Sequence, residues 1–274
     1  MKYSTCIVIY KEPLTQVLDA LVSAGFDAVD IPGDKERFSP KTVKPILESY
    51  SNKLKIGEVT ACINPDRDLV NPDVKLRKKA VDYIKYCIQT ASDLGVNLTH
   101  MCFITNPKNL NETPREKLEN WGKESIKECA KFAQDHSVNL MLEPLFKQDT
   151  TIVNTADQAV QLFSGALGLD PEQFLSPEKN KQFGLLLDIF HMHHEEKDLL
   201  QTISKYIKIT YHTHVADHPR GLDFSRADSK FVSDAIKKLK QLKYNRYVSF
   251  ETFDEHFQLN TLKTALDSLK KFEK

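Results

Sequence analysis

Gly184-Leu185-Leu186-Leu187-Asp188-Ile189-Phe190-His191-Met192-His193-His194-Glu195-Glu196 opens on an apolar run and breaks off on a carboxylate. Leu185 to Leu187 offers no polar residue to either face, the pattern of a strand buried on both sides in a parallel sheet. Asp188 ends the run and His191 follows three residues later, so a carboxylate and an imidazole stand at the mouth of a buried strand. Three further segments have the same form: Leu140-Met141-Leu142-Glu143, Ile209-Thr210-Tyr211-His212-Thr213-His214 and Tyr247-Val248-Ser249-Phe250-Glu251. The function turns on whether the four polar tips meet.

Outward from this stretch the chain alternates apolar runs with amphipathic stripes. Thr5 to Tyr10 predicts a first strand, followed by Leu14, Val17, Leu18 and Leu21 at helical spacing and a stop at Gly25. Ala28 to Ile31 and Leu54 to Thr60 predict the second and third strands, with a helix over 40–50 between them. The next helix has Ala80, Ile84, Cys87, Ile88 and Ala91 inward and Gly95 as its stop, and Leu98 to Ile104 predicts the fourth strand. Thr113-Pro114-Arg115-Glu116 reads as a capping box with proline at the first helical position. Val138 to Glu143, Phe183 to Asp188, Ile207 to His214 and Tyr247 to Glu251 complete eight strands. Pro171 and Pro177 mark an inserted loop or short helix before the sixth.

Eight strands and eight helices in 274 residues have the count and length of a (β/α)8 TIM barrel, read here as a single domain over 1–274. A doubly wound open sheet is the alternative, but only nine glycines occur and no Gly-rich phosphate loop follows a strand. In a barrel the C-terminal strand ends form the active face. Strands five to eight would then bring Glu143, Asp188, His214 and Glu251 to one mouth.

Composition narrows the function classes. Thirty-eight basic residues balance thirty-eight acidic ones, which argues against nucleic acid as a partner. No run reaches the roughly 18 apolar residues of a membrane span, and the N-terminus lacks the apolar core of a signal peptide. Five scattered cysteines without a C-x-x-C fit a reducing compartment, so a cytoplasmic protein is expected. A homo-oligomer is compatible with this composition.

Three carboxylates and a neutral imidazole are ligands for one divalent ion, Mn²⁺ first, with Mg²⁺ and Co²⁺ as alternatives. Such an ion keeps three close carboxylates ionised and can polarise a carbonyl. Glu143 and Glu251, facing each other across the neighbouring carbon, could move its proton from one face to the other. That is isomerase or epimerase chemistry on a small sugar or keto-acid.

These motifs resemble those of the sugar isomerases and epimerases with a xylose-isomerase-like barrel, most closely the ketose 3-epimerases of the tagatose and psicose type. The shared features are Leu187-Asp188-Ile189-Phe190-His191-Met192 with Glu195-Glu196, His214 followed six residues later by Arg220, and Glu143 followed by Asp149 and Asn154-Thr155. Asp68-Leu69-Val70-Asn71-Pro72-Asp73 with Arg77 adds a match after the third strand. The resemblance implies Glu143, Asp188, His214 and Glu251 as metal ligands, Glu143 and Glu251 as the catalytic pair, and His191, Arg220 and Asp149 as substrate contacts.

The chain departs from that family at Phe146-Lys147, at Asp149 where a Glu is usual, and at Gly221 to Arg226, which lacks the glycine-rich loop. Lys147 is a further candidate substrate contact there. Pro144 is closer to hydroxypyruvate isomerases, so that chemistry, an inosose-type dehydratase and a non-catalytic sugar binder stand as alternatives. A DNA-repair endonuclease on this barrel would need additional histidines, which strands one to three do not carry at their ends. His212 reads as a hydrogen-bonding residue beneath His214, Glu58 and Trp121 as structural or supporting, and His193 and His194 as solvated. Cys6, Cys62 and Cys102 read as small buried apolar residues on strands. Residues 61–72 and 105–113 are the expected lids.

Overall fold

The run at the sixth polar tip forms a strand, Phe183–Asp188, buried at every position. The computed structural model describes residues 1–62, 64–104, 112–150, 152–226 and 229–273. Its strands are β1 (Lys2–Thr5), β2 (Ala28–Pro32), β3 (Lys55–Thr60), β4 (Leu98–Cys102), β5 (Asn139–Glu143), β6 (Phe183–Asp188), β7 (Thr210–Val215) and β8 (Tyr247–Phe250). They form one parallel sheet in the order β1-β8-β7-β6-β5-β4-β3-β2. A bridge between Cys6 and Asp30 draws β1 and β2 together and closes the ring. The (β/α)8 barrel expected from the alternation is therefore the fold.

The surrounding layer comprises α1 (Leu14–Ala24), α2 (Pro40–Tyr50), α3 (Val74–Asp93), α4 (Arg115–Asp135), α5 (Ala156–Leu167), α6 (Pro171–Leu175), α7 (Ile189–Glu195), α8 (Leu199–Tyr206), α9 (Lys230–Gln241) and α10 (Leu262–Phe272). Val17, Leu18 and Leu21 are the buried stripe of α1, and Gly25, at φ 88°, caps it in the left-handed region where glycine is unstrained. Thr155 and Gln158 form a reciprocal capping box at the start of α5. Among the described residues no helix is long and apolar enough to cross a membrane.

Gly184 lets β6 and β7 approach, since a Cβ there would run into the Ile209 carbonyl and the Tyr211 ring. Successive side chains of a strand alternate between the helix layer and the barrel interior. Leu185 and Leu187 join the large core, whereas Leu98, Met141 and Leu186 form a separate apolar cluster. Two residues further on, those same strands carry His100, Glu143 and Asp188. The interior thus turns from apolar to ionisable within one pleat, toward the C-terminal mouth.

Some local expectations change. The first strand is Lys2–Thr5, and 7–10 turn back through Tyr10 N–H to Ile7 O at 3.3 Å. Ile7 and Tyr10 are buried as loop residues, and burial alone made that run look like a strand. α4 starts at Arg115 with Pro114 in extended geometry as its N-cap and no side-chain cap bond, so Thr113 caps nothing. Cys62 lies in the loop after β3 rather than in the strand. Of the expected lids, 61–72 includes a short 3₁₀ turn, Pro65–Arg67, while 63 and 105–111 lie outside the described residues.

Candidate metal centre and active site

Each of the four tips reaches the mouth for a local reason. Glu143 ends β5, Asp188 ends β6, His214 sits on β7 directly beside Asp188, and Glu251 follows β8 with its N–H on the Val215 carbonyl at 3.1 Å. Asp188 also caps α7: its Oδ1 accepts the Phe190 N–H at 2.8 Å, which leaves Oδ2 for the cluster. One ligand atom from each of Glu143, Asp188, His214 and Glu251 lies within 4.8 Å of the others, and all four residues are buried.

His214 Nδ1 faces both glutamates, 3.6 Å from Glu143 Oε1 and 3.4 Å from Glu251 Oε2. Among the described residues Glu143 Oε1 and His214 Nδ1 have no hydrogen-bond partner although both are buried, a situation a bound cation would relieve. Three hard oxygens and an imidazole nitrogen suit a divalent ion of the Mn²⁺, Mg²⁺ or Co²⁺ type. The donor set therefore fits a metal centre.

Arg220 enters the same cluster. Its Nη1 donates to Asp188 Oδ2 at 2.5 Å and its Nη2 to Glu251 Oε2 at 2.5 Å. The backbone holds it there at φ 97°, with the Arg220 carbonyl accepting from Thr252 Oγ1 at 2.8 Å and from Phe253 N at 3.2 Å. Phe190 and Phe253 flank the guanidinium, with ring centroids 4.7 and 5.2 Å away.

His191 lies beside these pairs, its Nε2 3.5 Å from Asp188 Oδ2. Its Nδ1 accepts the Phe146 N–H at 3.3 Å, and its Nε2 also faces Arg220 Nη2 at 3.4 Å. Asp149 is half-buried near His191 and Arg220, and burial raises its pKa above the ordinary value. Lys147 is not brought in: its Nζ is exposed and pairs with Glu195 Oε2 at 3.2 Å on the rim.

The charges stabilise one another. Burial opposes ionisation of Glu251, yet His214 and Arg220 hold its carboxyl well below the usual range. For Asp188 burial is likewise outweighed, by Arg220 and then His191. His214 is raised well above the ordinary imidazole range, burial being overcome first by Glu251 and then by Glu143 and Glu58.

Beneath the mouth lies a second ionisable layer, of which sequence reasoning singled out only Glu58 and His212. His212 Nε2 is 3.0 Å from Asp30 Oδ2, which also accepts from Ser4 Oγ at 3.1 Å and from Ser249 Oγ. Glu58 takes His100 Nδ1 at 3.1 and 3.2 Å and Thr60 Oγ1 at 3.2 Å. Asp30 and His100 were legible as single ionisable residues inside otherwise apolar strands, a signal weaker than a polar strand end. Burial pushes the Cys6 and Cys102 thiols well up, away from a nucleophile's range.

Eight parallel strands and a buried carboxylate–imidazole cluster at their C-terminal ends define a barrel of the class whose active site is its mouth. Residues 18–272 match the xylose isomerase-like TIM barrel family, and the chain belongs to it. A ketose 3-epimerase from Arthrobacter globiformis is 25% identical over 238 residues, covering 84% of this chain and 74% of that protein. The D-psicose 3-epimerase of Clostridium cellulolyticum H10, solved with D-tagatose, superposes with a TM-score of 0.80 at 18% identity over 100% of this chain and 98% of the other. The IOLI protein with a bound zinc atom gives 0.72 at 20% identity, over 99% and 96%.

Proposed function

We propose that this chain is a divalent-metal-dependent isomerase of the ketose 3-epimerase type, acting on a small ketose. The observation that carries the reading is that Glu143 and Glu251 both face His214 Nδ1, at 3.6 and 3.4 Å. Glu143, Asp188, His214 and Glu251 would hold the ion, Mn²⁺ in first place and Mg²⁺ or Co²⁺ otherwise. When bound it would polarise the ketose carbonyl and offset the negative charge that develops on its oxygen. The epimerase names of the sequence relatives support the reaction class.

The chain's own residues divide the rest of the work. One glutamate, as carboxylate, takes the proton from C3, and the C–H electron pair moves toward the carbonyl carbon to leave an enediolate. At the opposite face a proton drawn from solvent and relayed through the other glutamate is returned to C3, so the configuration inverts and the substrate's atom count is unchanged. Arg220 presents N–H donors and His191 an imidazole nitrogen at the edge of the cluster, positioned to orient sugar hydroxyls. Asp149, facing the same side, is a further hydroxyl contact. Phe146, Phe190 and Phe253 supply apolar walls for the sugar's C–H faces.

Incubation of the Mn²⁺-loaded protein in D₂O with a panel of ketoses tests this. Deuterium at C3 together with the 3-epimer is expected; no exchange from any ketose at full metal occupancy would remove the proposal.

A further inference from the structure

We infer that Glu58 and His100 are positioning residues for the metal centre: Glu58 makes His214 an Nδ1 ligand, and His100 ties that carboxylate to Glu143. The inference rests on reading Glu143, Asp188, His214 and Glu251 as ligands.

Four side chains from four strands close a ring. His214 Nδ1 faces Glu143 Oε1 at 3.6 Å, and His214 Nε2 faces Glu58 Oε1 at 3.4 Å. Glu58 receives His100 Nδ1 at 3.1 Å, and His100 Nε2 returns to Glu143 Oε2 at 3.6 Å. Carboxylate and imidazole alternate around the ring, and the two imidazoles are perpendicular, at 89° with centroids 5.8 Å apart. Glu58 and His100 are fully buried on β3 and β4, strands that contribute none of the four mouth residues.

A neutral imidazole that ligates a cation through one nitrogen carries its proton on the other, and a partner for that proton fixes both the tautomer and the ring orientation. His214 Nδ1 points into the mouth, so the proton belongs on Nε2, which stands 3.4 Å from Glu58 Oε1 without a formed hydrogen bond and needs only a small approach to make one. Glu58 is itself held by Thr60 Oγ1 and His100 Nδ1, which reach the same Oε1 at 3.2 and 3.1 Å, with His100 Nδ1 also 3.2 Å from Oε2. With Nδ1–H committed to Glu58, the remaining nitrogen of His100 is aimed at the proposed proton-transferring glutamate.

A second cation among Asp30, Glu58, His212 and His214 is the competing account of this layer. The hydrogen bonds argue against it: Asp30 Oδ2 is occupied by Ser4, Ser249 and His212, and Glu58 by Thr60 and His100. An ion there would have to displace donors from several residues, whereas at the mouth a single side chain, Arg220, donates to both Asp188 Oδ2 and Glu251 Oε2. The layer is built to orient the mouth.

Mn²⁺ titration of the full-length protein and of Glu58→Gln tests the assignment, with stoichiometry and thermal stability measured alongside. One ion per chain is expected in both, with Kd raised about 10- to 100-fold in the variant. At saturating Mn²⁺ the sugar KM should stay near the wild-type value. His100→Gln should lower kcat more than it raises KM. Should Glu58→Gln not fold, ¹⁵N-histidine NMR of the Mg²⁺-loaded wild-type protein decides: Nε2–H with Nδ1 metal-bound supports the inference, and the reverse tautomer overturns it. An unchanged Mn²⁺ Kd in a folded Glu58→Gln, even with a lower Tm, overturns it, as do two ions per chain. A wild-type chain that binds no ion fails the metal reading itself. One that binds Mn²⁺ through His214 Nδ1 but exchanges no ketose proton fails only the proposed reaction.

Discussion

Arg220 Nη1 lies 2.5 Å from Asp188 Oδ2, across 32 residues of sequence, and the same guanidinium reaches Glu251. A residue marked as a substrate contact is thus also a counter-charge for two proposed ligands. Removing it leaves two buried carboxylates short of a partner in the metal-free protein. Arg220→Gln should destabilise that form by about 3–5 kcal/mol, the scale of a broken buried ion pair. Denaturant titration should show the loss, and saturating Mn²⁺ should recover more stability in the variant than in the wild type.

Glu143→Gln removes the carboxylate that faces His214 while keeping its shape. Ketose C3 exchange in D₂O should fall by about 10²- to 10⁴-fold, the usual scale for a lost general base, with the circular dichroism spectrum unchanged. Wild-type turnover in this variant would exclude the two-glutamate mechanism.

Acid should weaken the fold through Asp188 and Glu251. Their folded pKa values lie below the unfolded values of 3.8 and 4.5, because Arg220 with His191, and His214 with Arg220, outweigh burial. A depressed folded pKa stabilises fully above the unfolded value and ceases to do so as pH falls through the folded one. Tm against pH should therefore be level above about 5 and fall below about 4.5. Arg220→Gln should move that fall to higher pH.

Metal binding should expel a proton. Burial disfavours the charged ring, but Glu251, Glu143 and Glu58 hold the His214 pKa well above 6.5, so the metal-free ring keeps its proton at neutral pH. Calorimetry of Mn²⁺ binding at pH 7 in buffers of different ionisation enthalpy should give about one proton released per ion, with affinity rising as pH rises.

Gly184 tests the barrel rather than the chemistry. Gly184→Ala sets a methyl group against the Ile209 carbonyl and should destabilise by about 1–3 kcal/mol through strand displacement. A chemical denaturation curve that matches the wild type would show that β6 and β7 can part without loss.

Much of the fold was legible because its signals are local. Leu185 to Leu187, the stripe of α1 and the glycine stop at Gly25 are short-range patterns that survive folding unchanged. The misread first strand shows the limit, since Ile7 and Tyr10 are apolar for burial in a turn, and apolarity does not report backbone conformation. Lys147 and Asp149 stand two apart in one loop, yet one turns to Glu195 on the rim and the other toward the mouth.

By itself the sequence determined the strand–helix alternation, the barrel, and the four polar tips at the ends of β5 to β8, because strand parity and apolar runs are properties of neighbouring residues. Only the tertiary structure decided what surrounds them. Arg220 between Asp188 and Glu251, and the ring of Glu143, His100, Glu58 and His214, join residues that no spacing connects. Barrel closure brings strands three, four, five and seven to one interior, and there the charges must compensate one another, since water does not.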